Sequence, residues 1–151
     1  MRLRRLLLPW IAGLIACRGA DGPEHGWLVT TSLSAAEFAS GDRLDITVVA
    51  HNTSSEARHL TPVCVHLFQL LDVDGTPRTL PPRLPCTMMI TTPKDVAPGD
   101  SVVSTDHWDG MIPGSGGASV PAPPGDYLVL GRVFAPDEVT GSGKRVRLLI
   151  H

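Results

Sequence analysis

The chain has 151 residues, with 13 lysines and arginines against 15 aspartates and glutamates and a formal net charge of −2. Its 42% apolar content argues against an intrinsically disordered chain, and the near balance of charge argues against a nucleic-acid binder, which usually has a strongly basic surface. The length suits one domain. Because 15 residues are glycine and 14 are proline, we expect frequent turns.

The first sixteen residues have the parts of an export signal. Basic Arg2, Arg4 and Arg5 precede an apolar run over residues 6–16. A helix that spans a membrane needs about 20 apolar residues, so this run is too short for one. We therefore expect a signal helix over residues 1–16 that is removed on export.

The end of this segment, Leu14-Ile15-Ala16-Cys17, resembles the lipobox of bacterial lipoproteins. In that family the signal is cut before the cysteine, whose sulfur and new amino group are acylated. The resemblance implies lipidation of Cys17, a polar tether over residues 17–26 and a lipid-anchored protein on the outer side of a membrane. The alternative is an ordinary signal peptide, in which case the protein is secreted.

Cleavage before Cys17 would make the mature chain acidic. It would remove three basic residues and no acidic one, which leaves ten basic against 15 acidic residues and a net charge of −5. Such a domain is repelled by nucleic acid and by anionic headgroups. Membrane attachment is therefore expected through the N-terminal lipid, with no nucleic-acid partner.

Two cysteines remain once Cys17 is assigned to the lipid. An even pair in an exported protein favours a disulfide between Cys64 and Cys86, and a loop of this length would gain about 3 kcal/mol of stability. The alternative is a metal site that uses Cys64, His66 and Cys86. Since no further ligand pair has the expected spacing, we expect no metal and no cofactor.

From Trp27 onward the apolar residues alternate with period two, which predicts strands. The predicted strands are 27–33, 44–50, 63–73, 88–92, 102–108, 127–134 and 145–150. Residues 111–124, which are rich in glycine and proline, predict a long loop. We expect an all-β domain over residues 27–151, with about seven to eight antiparallel strands in a β-sandwich and no helix after the signal.

The segment around Asp74-Gly75 predicts a hairpin. Residues 63–73 form a near-continuous apolar run, which is typical of a central strand buried on both faces. Around the Asp-Gly turn, residues whose numbers add up to about 150 should face each other, as the two cysteines do. Three prolines over residues 81–85 predict an irregular return strand at an edge of the sheet.

A set of spaced residues between Trp27 and Phe134 resembles the immunoglobulin-like domain of the BsuPI family of bacterial proteinase inhibitors. The set comprises Phe38, Gly41, Leu44, Ile46, Val48, Asn52, Phe68, Leu70, Asp72, Gly75, Pro98-Gly99, Trp108 and Pro124-Gly125-Asp126-Tyr127. These motifs are structural, so the resemblance implies an immunoglobulin-like sandwich more than a function. The chain departs from the family in its loop 111–123 and in its export signal, which separates it from intracellular proteases.

The sequence contains no nucleophile elbow and no phosphate-binding loop. Asp106-His107-Trp108-Asp109 is the most polar cluster beside an aromatic residue, and a general base there is one hypothesis. A turn with acidic caps around a core tryptophan is the other, and we favour it. We expect a protein that is not an enzyme.

The segment Pro82-Arg83-Leu84 carries a hypothesis of protease inhibition. A substrate-like inhibitor needs an exposed rigid loop, and the prolines with the adjoining disulfide would supply that rigidity. Arg83 would then fill a pocket that selects basic residues. The alternative, which we favour, is that the prolines blunt an edge of the sheet and prevent aggregation.

Together these features predict a lipid-anchored, immunoglobulin-like module of the bacterial envelope. Its expected partner is an envelope protein or polymer, contacted through loops or edges of the sandwich. An inhibitor of an exported protease, acting through Arg83, is the second hypothesis.

Overall fold

The computed structural model describes residues 26–61, 63, 65–81 and 94–150. Over these residues the fold is all-β, as predicted, and contains no helix. The strands are β1 (Trp27–Leu33), β2 (Glu37–Ala39), β3 (Leu44–Asn52), β4 (Arg58–Leu60), β5 (Phe68–Asp72), β6 (Pro77–Arg78), β7 (Lys94–Val96), β8 (Ser101–Trp108), β9 (Met111–Pro113), β10 (Ser119–Pro121), β11 (Gly125–Ala135) and β12 (Asp137–Leu149). Among the described residues no helix is long and apolar enough to cross a membrane.

The strands form two larger sheets and two ribbons. One sheet has the order β1-β3-β8 and the other the order β2-β12-β11-β5-β6, while β4 pairs with β7 and β9 with β10. The pairs are antiparallel except for β2 with β12, which is parallel. The expected count of seven to eight strands, all antiparallel, is therefore wrong for the described chain. Six of the twelve strands have two or three residues, too few to show a period-two pattern.

Both larger sheets direct alternate side chains into one core. The predicted alternation of β1, β3 and β11 is confirmed, because every second residue of each strand is buried. The largest fully buried side chains of this core are Trp27, Leu44, Ile46, Phe68, Leu70 and Leu148. The aromatic rings of the core are few, as the composition requires, and aliphatic side chains fill most of it.

The two sheets approach each other closely at Gly131. Its N–H donates to Thr31 Oγ1 at 2.9 Å, and a Cβ at this position would lie 2.5 Å from the same oxygen and 3.0 Å from Val48 Cγ2. A Cβ at Gly141 would lie 2.2 Å from the carbonyl oxygen of Val29. Glycine is thus required at both positions, because backbone and side chains of the facing sheet occupy the space.

The last strand is longer than predicted. β12 begins at Asp137, and Gly141 and Gly143, which were expected to precede the strand, lie inside it. The register between β11 and β12 shifts near these glycines, between Leu130 and Arg132. Such a bulge bends the strand and lets it run alongside β1, a long-range contact that local sequence does not encode.

The prediction of a strand over residues 63–73 is wrong in extent. Among the described residues of this segment only Phe68–Asp72 forms a strand, while Val65 before it and Val73 after it are 43% and 73% exposed. Just before β5 the backbone N–H of Leu67 donates to a side chain, Asp106 Oδ2, at 2.9 Å, so this part of the chain leaves the ladder. Apolar character alone did not reveal that change of partner.

The predicted hairpin at Asp74-Gly75 is confirmed, since β5 and β6 pair around a turn in which Gly75 has a φ of 78°. Leu70 pairs with Arg78 and Leu71 with Pro77, so the numbers of paired residues add up to 148. The prediction was about 150, and each residue of β5 therefore faces a residue two positions earlier than predicted. The strand predicted over residues 88–92 lies outside the described residues.

Residues 111–124 are a second correction, because this segment is not a loop throughout. It contains the hairpin of β9 and β10, in which Met111 faces Pro121 and the N–H of Gly114 donates to the carbonyl of Ala118 at 2.7 Å. Glycines at 116 and 117 have positive φ and close the turn. The same glycines that suggested a loop therefore bring two short strands together.

Candidate functional site

The strand directions define two ends of the domain. The antiparallel pairings make β1 and β8 run opposite to β3, and β5 and β12 run opposite to β11. Contacts of Gly141 with Val29 and of Arg147 with Ala36 show that β12 runs in the same direction as β1. The chain enters β1 at Trp27, opposite Asn52, at what we call the proximal end. The distal end consists of the turns over residues 40–43 and 73–76, the hairpin over 111–121 and residues 149–150.

Part of the exposed apolar surface lies at the distal end. Of the seven large apolar side chains with marked exposure among the described residues, four lie there: Val73 (73%), Val120 (39%), Leu149 (40%) and Ile150 (80%). The other three, Leu28, Val65 and Val103, lie outside the distal end, and the proximal turns over residues 53–57 and 97–100 carry none of the seven. Exposed apolar groups that gather on one part of a surface indicate a contact site.

Buried aromatic rings support the distal hairpin. The Trp108 ring packs edge-to-face against Phe38 and Tyr127, with centroids 5.3 and 5.2 Å away. Its Nε1–H donates to the carbonyl of Met111 at 3.0 Å, and the Tyr127 hydroxyl donates to the carbonyl of Pro123 at 2.6 Å. The hairpin thus starts and ends on core side chains that fix its base.

A cleft of about 150 Å³ opens at the distal end of the five-stranded sheet, lined among others by Val73, Leu128 and Arg145. Two carboxylates flank it, and each is paired. Asp72 accepts a hydrogen bond from Arg78 at 2.9 Å, and Asp126 accepts one from Arg147 at 2.8 Å. The hydrogen bond from Arg147 lowers the pKa of Asp126, so this carboxylate is ionised over the physiological range.

A second, mostly apolar cavity of about 270 Å³ lies between the edges of the two larger sheets. Its polar lining consists of Thr61, Ser104 and Lys94, and its other walls are aliphatic or aromatic. The apolar lining residues are Leu60, Val63, Leu67, Val102, Val133 and Phe134. This lining suits an apolar group better than a polar one.

Asp106 of β8 and His66, in the segment before β5, form a polar pair between two elements of the fold. Asp106 Oδ2 lies 3.2 Å from His66 Nδ1, and the two side chains are 1% and 17% exposed. His66 Nε2 lies 2.9 Å from the carbonyl oxygen of Pro81. Because both partners of the ring are acceptors, the imidazolium form of His66 donates on both sides.

Asp106 is held in its ionised form. Burial of the carboxyl raises its pKa, but hydrogen bonds from His66 and from the N–H groups of Leu67 and His107 outweigh burial and lower the pKa from 3.8 to about 2. A carboxylate with so low a pKa is a poor general base near neutral pH. The pair joins β8 to the segment before β5 and to Pro81.

The predicted cluster Asp106-His107-Trp108-Asp109 does not converge on one point. Asp106 and Trp108 are buried, whereas His107 lies on the exposed face of β8. Asp109 Oδ1 accepts a hydrogen bond from the N–H of Met111 at 3.1 Å. The tryptophan is a core residue, as expected, but Asp106 belongs to a strand and binds His66 rather than capping a turn.

The other predicted site residues, Cys17, Cys64, Cys86, Pro82, Arg83 and Leu84, lie outside the described residues. The structure describes His66 and Pro81, which lie next to them in sequence and contact each other. Within the described ranges, no three side chains of His, Cys, Asp or Glu form a group that could hold a metal ion.

Sequence reasoning missed the pairing of His66 with Asp106, which are 40 residues apart and on different elements. It also missed the outward-facing leucines of β11 and their neighbour Arg145. The sequence did contain a sign of the outward-facing leucines, because residues 127–134 are mostly apolar on both faces. A strand with one solvent-exposed face normally alternates apolar with polar residues.

Comparison with known proteins adds no family. No family model and no curated protein matches the chain. Solved structures with some similarity include β-glucosidases from Listeria innocua (TM-score 0.43, 17% identity) and Erythrobacter marinus (0.49, 17%), and an alkylpurine DNA glycosylase from Pseudomonas fluorescens (0.49, 12%). They cover 81%, 82% and 80% of this chain, which spans only 16%, 15% and 30% of theirs. Over its described residues the chain is an all-β domain.

Proposed function

We propose that this protein is a lipid-anchored, immunoglobulin-like module of the bacterial envelope that binds another protein or an envelope polymer and catalyses no reaction. One observation carries the proposal: the chain enters the domain at the proximal end, and four of the seven exposed large apolar side chains of the described residues lie at the distal end. A domain tethered through Cys17 would present this distal end away from the membrane.

The immunoglobulin-like architecture is the finer part of the proposal, and Tyr127 supports it. A hallmark of immunoglobulin-like sandwiches is a tyrosine near the start of a late strand, whose hydroxyl binds backbone a few residues upstream. Tyr127 is the third residue of β11 and donates to the carbonyl of Pro123, four residues before it. The contact between the sheets at Gly131 is also what a sandwich requires.

The anchor is tested with Cys17→Ser in the full chain. We expect the parent protein in the membrane fraction, with a mature N-terminal peptide that carries acyl groups on Cys17, and the variant in the soluble fraction. Cys64→Ser is the matched control and should stay in the membrane fraction. A parent protein that keeps Met1 and is soluble would overturn the anchor.

The binding end is tested by photo-crosslinking in intact cells. A photoreactive amino acid replaces Val73 or Val120 at the distal end, or Glu56 or Ala97 at the proximal end. All four side chains are solvent-exposed. We expect crosslinked adducts of defined mass from the distal positions and none from the proximal ones. Adducts that arise equally at both ends, or none at the distal end, contradict the proposal.

We infer a second candidate function, inhibition of an exported protease through Pro82, Arg83 and Leu84. The observation in its favour is the hydrogen bond from His66 Nε2 to the Pro81 carbonyl, which holds the residue directly before this segment. A loop held at its base loses less entropy when it binds a protease. Arg83→Asp should abolish inhibition of trypsin-like enzymes and Arg43→Asp should not; a parent protein that inhibits none of them ends this hypothesis.

A further inference from the structure

The outer face of the five-stranded sheet carries three neighbouring leucines, although a solvent-exposed sheet face is normally polar. Tyr127 and Val129 of β11 point into the core, so Leu128 and Leu130 point out. Leu71 of β5 pairs directly with Leu128 and shares its face. We call Leu71, Leu128 and Leu130 the outer leucine patch; all three are half-buried.

A glycine makes this patch continuous. Gly143 of β12 lies opposite Leu130, and a Cβ there would be 2.6 Å from Leu128 Cδ1 and 2.8 Å from Leu130 Cδ2. The two leucine side chains therefore lie over the glycine instead of standing apart. The result is a low apolar surface across three strands, against which another chain can pack.

Three of the four arginines around the patch form ion pairs. Arg78, Arg132 and Arg147 each form an ion pair, with Asp72, Glu138 and Asp126 respectively. Arg145 lies directly opposite Leu128 in the ladder, is exposed, and forms no hydrogen bond or ion pair with the described residues.

The positive charge of Arg145 lies beside apolar side chains. Its charge reaches Asp126 and helps to lower the pKa of that group, but Arg147 already occupies the Asp126 carboxylate. The distal cleft brings Arg145 together with Leu128 and Val73. Glu37 faces Arg147 across β2 and β12, so four carboxylates balance the four arginines of this region, and what distinguishes Arg145 is that it has no ion-pair partner among the described residues.

We propose that the outer leucine patch and Arg145 bind a segment of a partner protein in which aliphatic side chains alternate with carboxylates. The aliphatic side chains pack on Leu71, Leu128 and Leu130. One carboxylate of the segment accepts hydrogen bonds from the Arg145 guanidinium, whose planar arrangement of donors suits a carboxylate better than a lysine ammonium does. This inference rests on the proposed function as a binding module and names the chemistry of its partner. Since the patch reaches the distal cleft, it belongs to the end that faces away from the tether.

The test uses the full-length chain and two fluorescent peptides, one that alternates isoleucine with glutamate and one that alternates isoleucine with lysine. By fluorescence anisotropy we expect the glutamate peptide to bind and the lysine peptide not to. Arg145→Glu should weaken the glutamate peptide by about tenfold or more, the value of one charge-assisted contact. The same variant should gain affinity for the lysine peptide.

Lys144→Glu is the matched control. It makes the same change of charge at the adjacent residue, which pairs with inward-facing Val129 and so lies on the other side of the strand. We expect it to change the affinity by less than about twofold, because no contact is lost. Equal losses in the two variants, or equal binding of both peptides by the parent, overturn the proposal.

The outcome is separable from that of the proposed function. If distal crosslinks form in cells but the glutamate peptide does not bind, the chemistry assigned to the partner is wrong and the binding module stands. If the peptide binds at Arg145 but cells yield no distal adducts, the patch is supported and the function as an envelope-binding module is wrong.

Discussion

His66 and Asp106 form a buried link between two parts of the fold that are 40 residues apart in sequence. Their closest side-chain atoms, Nδ1 and Oδ2, are 3.2 Å apart, and the same carboxylate also accepts hydrogen bonds from the N–H groups of Leu67 and His107. A buried charge is stable only when its hydrogen bonds are satisfied in this way. The pair is therefore a structural clamp whose strength depends on pH.

Asp106→Asn is expected to lower the free energy of unfolding by about 2 kcal/mol at pH 7. The pKa of Asp106 is about 2 in the folded protein, below its ordinary value of 3.8, so ionisation stabilises the fold. This contribution is fully present above pH 4 and is lost as the pH falls toward 2. Urea unfolding followed by tryptophan fluorescence at pH 7, 4 and 2 measures it.

In that experiment the variant should lose less stability than the parent between pH 4 and 2. Asp100→Asn, at an exposed position in a proximal turn, serves as the control and should retain the parent's pH dependence. If Asp106→Asn shows the full acid loss of the parent, the clamp is not the origin of that loss.

Gly131→Ala is expected to destabilise the protein by about 2–3 kcal/mol, since overpacking a filled core costs this much. The new Cβ would clash with Thr31 Oγ1 and crowd Val48 on the facing sheet. Thermal unfolding gives the change. Combining it with Thr31→Ala should cost less than the sum of the two single changes, because the alanine removes the clashing oxygen; simple additivity would argue against the close contact.

Tyr127→Phe is expected to reduce the free energy of unfolding by about 1 kcal/mol at pH 8, through loss of the hydrogen bond to Pro123. Burial raises the pKa of the Tyr127 hydroxyl, so the neutral form stabilises the fold below pH 10 and this benefit is lost above it. The parent should therefore lose more stability than the variant between pH 9 and 11. Chemical denaturation at both pH values distinguishes this from a hydroxyl that contributes nothing.

The predicted disulfide between Cys64 and Cys86 should appear as a mass two hydrogens lower than that of the reduced chain, with both cysteines in one non-reduced peptide. Its removal by Cys64→Ser with Cys86→Ser should cost about 3 kcal/mol by the chain-entropy argument. Thiols that remain free after export would refute the bridge.

Local patterns predicted the regular strands well. Period-two alternation located β1, β3 and β11 almost residue for residue, and the Asp-Gly turn located the hairpin of β5 and β6. These features need only neighbouring residues and one wet face. The apolar pattern gave a wrong start for β5, because the backbone N–H of Leu67 donates to the side chain of Asp106 on another strand.

The candidate site was less predictable for the same reason. The sequence of residues 127–134 shows that both faces of β11 are mostly apolar. The register with β12 decides that Arg145 lies opposite Leu128 on the outward face. That register contains a shift near Gly131, and no local rule places such a shift.

By itself the sequence determined the all-β class, the main strands, the one confirmed hairpin turn and the tryptophan of the core, because alternation and turn chemistry act between near neighbours. Only the tertiary structure decided that His66 contacts Asp106, that Gly131 and Gly141 let the sheets touch, and that Val73, Val120, Leu149 and Ile150 are exposed at the end opposite Trp27. Those relationships join residues far apart in sequence, and the free energy of packing the whole chain selects them.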